Sequence, residues 1–239
     1  MFPERIVPRE TSPGIVALHL KRYEFASPWV DQAEVLDAGC GVGYGSAFLA
    51  RRARRVVGVD RSEEALEYAR AHYLEPNVEY VRADLLELPL PDRSFDVVCA
   101  FETIEHLDDP AAFLRTVARV LRPEGTLLVS TPRVDRTTYE PENPHHRLEL
   151  SVMDFERLLT ERFAAVELFG QRRLQTRRHR LLQRVDVLGL RRRFPWLRPA
   201  SRLLGTVPMR DVGLDGILIE RGGLERASEL LAVCTGPRP

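Results

Sequence analysis

The stretch Val35-Leu36-Asp37-Ala38-Gly39-Cys40-Gly41-Val42-Gly43-Tyr44-Gly45 limits the chain more than any other. A short apolar run ends in an acid. Glycines then fall at alternate positions, and a helical pattern starts behind them. That order predicts a strand, a tight turn and a helix start. Glycine lets the backbone enter positive φ and lets a ligand lie against bare peptide. The first turn of the helix behind it leaves N–H groups without helical partners. The dinucleotide fingerprint G-x-G-x-x-G fails here because Tyr44 stands at its third glycine, and the Lys-Ser/Thr of a phosphate-binding loop is missing. Alone, the stretch fits any strand-to-helix turn of an α/β protein.

Its surroundings repeat the alternation. Strands are expected at Val35–Ala38, Arg55–Val59, Val78–Arg82, Phe95–Ala100 and Thr126–Ser130. Helices are expected at Tyr44–Arg52, from the Ser62 cap to about Tyr73, and at Pro110–Leu121. Glu63 and Glu64 suit the first turn of the Ser62 helix. Strands spaced by helices mean a doubly wound, mainly parallel sheet, which binds ligands at the C-terminal ends of its strands. A helix at Ser151–Arg162, a sixth strand at Phe163–Phe169 and a seventh at Glu229–Thr235 complete it. Ahead of the sheet, Ile15–Phe25 reads as a capping helix closed by Pro28. His19 and Tyr23 share a face of that helix, so Tyr23 or Arg22 could instead close over a ligand. The expected divisions are a cap at 1–34, a ligand-binding core at 35–170, a helical insertion at 171–228 and a last core strand at 229–239.

Acids stand where such a sheet holds ligands. Asp60 ends the second strand, where a carboxylate accepts the two hydroxyls of a ribose. Asp84 follows the third strand. Either acid could also serve only as a turn or cap carboxylate.

Taken in order, these motifs resemble class I S-adenosylmethionine methyltransferases. Asp37 and its glycines are similar to their first motif. Leu88-Pro89-Leu90-Pro91-Asp92-Arg93-Ser94-Phe95-Asp96-Val97-Val98, then Glu105-His106-Leu107-Asp108-Asp109-Pro110, then Leu121-Arg122-Pro123-Glu124-Gly125-Thr126 are similar to the type 11 (ubiquinone/menaquinone-methyltransferase-like) members. The resemblance covers residues 35 to about 170 and implies a Rossmann-like, seven-stranded fold with S-adenosylmethionine as cofactor. It implies backbone approach at Gly39, Cys40, Gly41 and Gly43, and Asp37 orienting the amino-acid end of the cofactor. Asp60 would hold the ribose and Asp84 the adenine, with Arg61, Leu85 and Phe101 beside them. The chemistry implied is in-line transfer of a sulfonium methyl, where the protein supplies position and electrostatics.

An oxygen acceptor must also lose a proton, and histidine titrates nearest neutrality. His106, His145 and His146 are the candidate bases, with His146 preferred and Glu105 beside them. Glu102-Thr103-Ile104-Glu105-His106 with a later histidine also resembles the metal site of small-RNA 2′-O-methyltransferases, and a related arrangement in ubiquinone-type O-methyltransferases. On that resemblance Glu102, Glu105, His106 and His146 would hold a divalent ion, magnesium or zinc. The other reading of the segment is a helix cap that shapes the pocket.

The rest bounds the setting. The three cysteines, Cys40, Cys99 and Cys234, lie far apart in apolar runs without metal spacing. No stretch reaches membrane-spanning length, and Met1-Phe2-Pro3-Glu4-Arg5 has no leader pattern. The expectation is a cytoplasmic protein, able to sit at a membrane surface. Net charge is +0, yet residues 171–204 hold eleven arginines and one acid, Asp186, beside the stripe Leu174, Leu181, Leu182, Val185 and Leu188. This basic segment could meet an anionic membrane, a nucleic acid or an anionic small molecule, or be a lid with solvated charges. The acceptor implied is a small molecule, a sugar, or a lipid-linked glycan or quinone precursor. The alternatives are an RNA methyltransferase, and a non-catalytic protein that binds S-adenosylmethionine or a nucleotide.

Overall fold

The computed structural model describes residues 5–174 and 212–238. Eight strands form one sheet: β1 (Glu34–Ala38), β2 (Arg55–Asp60), β3 (Val78–Arg82), β4 (Phe95–Phe101), β5 (Leu121–Pro132), β6 (Phe163–Arg173), β7 (Ile217–Arg221) and β8 (Glu229–Pro237). Their order is β3-β2-β1-β4-β5-β8-β6-β7. The first five run parallel to their neighbours, whereas β8 lies antiparallel between β5 and β6, and β7 is antiparallel on β6.

The helices are α1 (Pro13–Val30), α2 (Tyr44–Ala50), α3 (Glu63–His72), α4 (Pro110–Val120) and α5 (Val152–Thr160). Both sheet faces are covered, so the central strands are apolar on both sides. In β4, Val98 and Ala100 join the core under α4 and α5, while Val97, Cys99 and Phe101 join the core under α1, α2 and α3. The Ser62 cap expected from sequence forms, and the structure adds caps at Asp109 and Ser151. Ser62 Oγ takes the Ala65 N–H at 3.3 Å, Asp109 takes Ala112 at 2.8 Å, and Ser151 takes Asp154 at 3.2 Å.

Three features differ from the sequence reading. α1 runs through Pro28 to Val30, because Ala26 and Val30 are both buried one turn apart and hold the last turn against the core. The sheet has eight strands rather than seven. The additional strand, β7, is a short edge strand whose Ile217 is buried with Ala17 of α1 and Val212. And the expected helical insertion does not begin at residue 171: Gln171–Arg173 continue β6. Arg172 there is paired with Glu220 of β7 at 2.7 Å. The remainder of the arginine-rich segment, 175–211, lies outside the described residues.

Candidate active site

The C-terminal ends of β1, β2, β3 and β4 meet at one edge and open into a cavity of about 360 Å³. Its floor is the glycine turn. The Gly39 and Cys40 N–H groups donate to the Val59 carbonyl at 2.8 and 3.0 Å, which folds the turn back over β2. Gly41 sits at φ +53°, and a Cβ built there meets nothing within 4 Å. Bare peptide therefore faces open cavity. Gly43 lies behind the wall; its φ is +86°, and a Cβ there would fall 2.5 Å from the Tyr80 hydroxyl and 2.6 Å from Ala69. Gly45 makes room for Tyr23, whose ring would lie 2.0 Å from an added Cβ.

Asp60 lines the cavity from the end of β2. Oδ2 accepts the Gly41 N–H at 3.0 Å and Oδ1 the Ser62 N–H at 2.9 Å. Each oxygen keeps a second lone pair, and the carboxylate is held in one orientation. Asp84 is exposed at the rim, with Oδ1 accepting the Leu86 N–H at 2.9 Å. Gly39, Cys40, Arg61, Leu85 and Phe101 also line this cavity.

Asp37 does not line it. The side chain is 1% exposed behind the turn, where Oδ2 accepts from Ser46 Oγ at 2.6 Å and Oδ1 from the Tyr23 hydroxyl at 3.4 Å. Burial pushes its pKa up to about 6, against the opposing effect of those two hydrogen bonds.

The same cavity is lined by Glu102, Glu105, His106, Asn143 and His146. Glu102 leaves β4 in left-handed backbone, φ +52°. Its carboxylate accepts from Ser130 Oγ at 2.7 Å and pairs with Arg22 of α1 at 3.5 Å. Arg22 is 1% exposed, and burial opposes its charge, but Glu102, Glu229 and Glu105 around it hold its pKa above the ordinary value. Glu105, in the 3₁₀ turn Ile104–His106, is also 1% exposed, and among the described residues neither carboxylate oxygen has a partner at full hydrogen-bond geometry, although the Thr131 side chain acts on the carboxyl. Burial first, then the Glu102 charge, drive its pKa well above the carboxylate range.

The two imidazoles meet edge to face, ring centres 4.9 Å apart. His106 Nδ1 lies 2.9 Å from the His145 carbonyl. A carbonyl only accepts, so Nδ1 carries a proton. Donor atoms of Glu105, His106 and His146 fall within 4.8 Å of one another, a grouping that does not include Glu102. His145 contributes backbone groups instead of its ring.

Of the two readings of α1, a capping helix or one that closes over a ligand, the structure favours the second for Tyr23: His19 and Tyr23, on their shared face, line the cavity. Sequence reasoning passed over Thr103 and the ring of His19 as lining groups. Burial, then the nearby Arg22 charge, hold His19 well below the histidine range. Thr103 also lines the cavity; its Oγ1 donates to the Ala38 carbonyl at 3.1 Å and fills the space a Gly39 side chain would need.

Residues 36–129 match a methyltransferase domain family. A probable S-adenosylmethionine-dependent methyltransferase of Mycobacterium tuberculosis is 45% identical over 148 residues, 60% of this chain and 53% of that protein. A ubiquinone biosynthesis O-methyltransferase of Hahella chejuensis is 45% identical over 100 residues, 41% of this chain and 42% of that one. The chain thus spans about half the length of the curated relatives it matches. Among solved structures, an S-adenosylmethionine-dependent methyltransferase of Mesorhizobium loti shares the fold with TM-score 0.59 at 20% identity, covering 94% of this chain and 100% of that one. A Burkholderia thailandensis N-methyltransferase, solved with S-adenosylhomocysteine, aligns with TM-score 0.57 at 18% identity, covering 93% and 79%. The glycine turn, the strand order and these relatives agree: residues 36–129 are similar to a methyltransferase domain, set in a fold that solved methyltransferases share.

Proposed function

We propose that the chain transfers a methyl group from S-adenosylmethionine to a hydroxyl of a small molecule, a sugar or a lipid-linked acceptor. One observation carries this reading: a single cavity is lined by open glycine backbone, by Asp60 and by two imidazoles. The glycine turn and Asp60 fit the cofactor. Gly41 leaves room directly over the peptide, and Asp60 has a spare lone pair on each oxygen for the two ribose hydroxyls. Asp84 takes the adenine amino group, and Arg61, Leu85 and Phe101 flank it. When bound, S-adenosylmethionine supplies a methyl on a sulfonium. The chain's part is to hold the acceptor oxygen in line and remove its proton. His146 does the latter, with His106 beside it and the buried Glu105 carboxyl closing the wall.

The Hahella chejuensis relative is named for O-methylation, which favours oxygen as the acceptor atom. Calorimetry with S-adenosylmethionine, then a turnover screen over hydroxyl-bearing small molecules, sugars and lipid-linked acceptors, tests the reading. Absence of binding overturns it. Binding without turnover favours the non-catalytic alternative, and turnover only on RNA favours an RNA methyltransferase.

A second reading is that Glu105, His106 and His146 hold a divalent ion, magnesium or zinc. The favouring observation is the Glu105 carboxyl, buried against two imidazoles and, among the described residues, without a partner at full hydrogen-bond geometry. We also propose that the arginines of 171–204 meet a polyanion, either an anionic membrane surface or a nucleic acid. Retention on anionic vesicles or RNA that falls as salt rises supports this, and no retention at low salt refutes it. Among the described residues no helix is long and apolar enough to cross a membrane.

A further inference from the structure

His146 is gripped on both ring nitrogens. Nδ1 lies 2.7 Å from Glu149 Oε1, and Nε2 lies 2.8 Å from the Asn143 amide nitrogen. The backbone decides how these bonds run. The His145 N–H can only donate, and it meets Asn143 Oδ1 at 3.1 Å. That fixes the amide orientation, so Asn143 turns its NH₂ donor toward His146. Nε2 must then be the bare, accepting nitrogen, and the ring proton lies on Nδ1, where it is donated to Glu149.

The rest of the loop holds this clasp rigid. Glu149 exchanges backbone hydrogen bonds with Thr138, both at 2.9 Å. The Arg147 and Leu148 N–H groups donate to the Glu105 carbonyl at 2.7 and 3.3 Å. The His146 and Glu149 side chains are only 10% and 16% exposed.

We propose that Glu149 is the positioning residue of His146: it holds the Nδ1–H tautomer and the ring plane, so that Nε2 is presented as a proton acceptor at the cavity. The Asn143 NH₂ stands in for the donor that an acceptor brings, and gives way to a hydroxyl. The proposal rests on the reading of His146 as the base. In that step the acceptor O–H bond breaks and its proton moves to Nε2. The ring becomes an imidazolium whose Nδ1–H stays on the Glu149 carboxylate, and the oxygen keeps the electron pair that takes the methyl.

Nitrogen-15 histidine spectra of the full chain, without cofactor and at about pH 8, above the ordinary histidine pKa of about 6.5, test the tautomer directly. His146, assigned by its loss in His146→Ala, should show a protonated Nδ1 and a bare Nε2. Glu149→Gln should mix or invert the two forms, and Glu149→Asp should restore the wild-type pattern. With the acceptor found in the turnover screen, Glu149→Gln should lower kcat at least about tenfold, since a wrong tautomer costs catalytic histidines up to about 10⁴. KM for S-adenosylmethionine should be unchanged, and Glu149→Asp should recover part of kcat. A protonated Nε2 in the wild type, or spectra and kcat that ignore Glu149→Gln, overturns the proposal. If instead His146→Ala turns over normally while the tautomer is as drawn, the function reading of His146 as base has failed.

Discussion

The glycine turn makes two substitutions behave differently even though both positions have positive φ. Gly41 has φ +53° and Gly43 φ +86°, so alanine at either adopts a left-handed backbone at a cost of about 1–2 kcal/mol. At Gly43 the new Cβ also meets Tyr80 Oη at 2.5 Å and Ala69 Cβ at 2.6 Å. Overpacking adds about 1–3 kcal/mol, so Gly43→Ala should lose about 2–5 kcal/mol of stability. At Gly41 nothing lies within 4 Å, so Gly41→Ala should lose only the backbone cost. Its methyl, however, occupies the space assigned to the cofactor. Urea titration measures the first quantity, and calorimetry with S-adenosylmethionine and S-adenosylhomocysteine the second. Wild-type binding of micromolar order, about −8 kcal/mol, should weaken at least tenfold in Gly41→Ala, a loss of about 1.4 kcal/mol or more. Gly41→Ala with wild-type affinity would refute the placement of cofactor over that peptide. Equal stability of the two variants would refute the packing argument.

Three further outcomes follow from buried charge and the donor cluster. Asp37 has its folded pKa raised from 3.8 to about 6, so the fold is favoured with Asp37 protonated, and that contribution is lost as pH rises from about 4 through about 6. The shift amounts to about 3 kcal/mol; Asp37→Asn should flatten this part of the stability–pH curve in urea titrations, and an unchanged curve would show that Asp37 does not cause it. Arg22→Met should cost about 3–5 kcal/mol in the same assay, because Glu102, Glu105 and Glu229 lose their buried cation; a near-neutral effect would mean that the acids simply take up protons. Methyl transfer should survive exhaustive chelation, with His106 and His146 handling the proton, whereas loss on chelation and recovery with magnesium or zinc would establish the metal reading of Glu105, His106 and His146.

Much of this site could be read from sequence because its pieces are local. Gly39 to Gly41, Asp60 and Asp84 end or follow strands whose apolar runs are plain, and all line the cavity, whereas Asp37, expected to reach the ligand, is buried behind the turn. Ser62 announces its helix three residues ahead of the N–H it caps. What was not legible depends on contacts between distant segments. Nothing near Gly45 says that its missing side chain makes room for Tyr23. β7 offers only Ile-Leu-Ile-Glu-Arg, too short to stand out, and it pairs with β6 alone. Glu149 belongs to no helix or alternating strand, so its spacing from His146 carried no periodic signal. Pro28 was read by its usual effect, which burial of Ala26 and Val30 overrides. Glu102 was legible as an acid at a strand end, but its left-handed backbone and the Arg22 behind it were not.

The place of β8 in the sheet bears on how the chain must assemble. Residues 229–237 pair with β5 along Thr126–Pro132 and with β6 along Phe163–Gln171, and no direct pairing joins β5 to β6. During synthesis the parallel half can form first, since β1 to β5 and their helices all precede residue 133. Its β5 edge, a run that includes Leu127, Leu128 and Val129, then stays open to other strands until the last strand has left the ribosome. The same holds for one edge of β6. A nascent chain stalled short of residue 229 thus displays two unfilled sheet edges, the kind of surface that recruits chaperones or pairs with a neighbour.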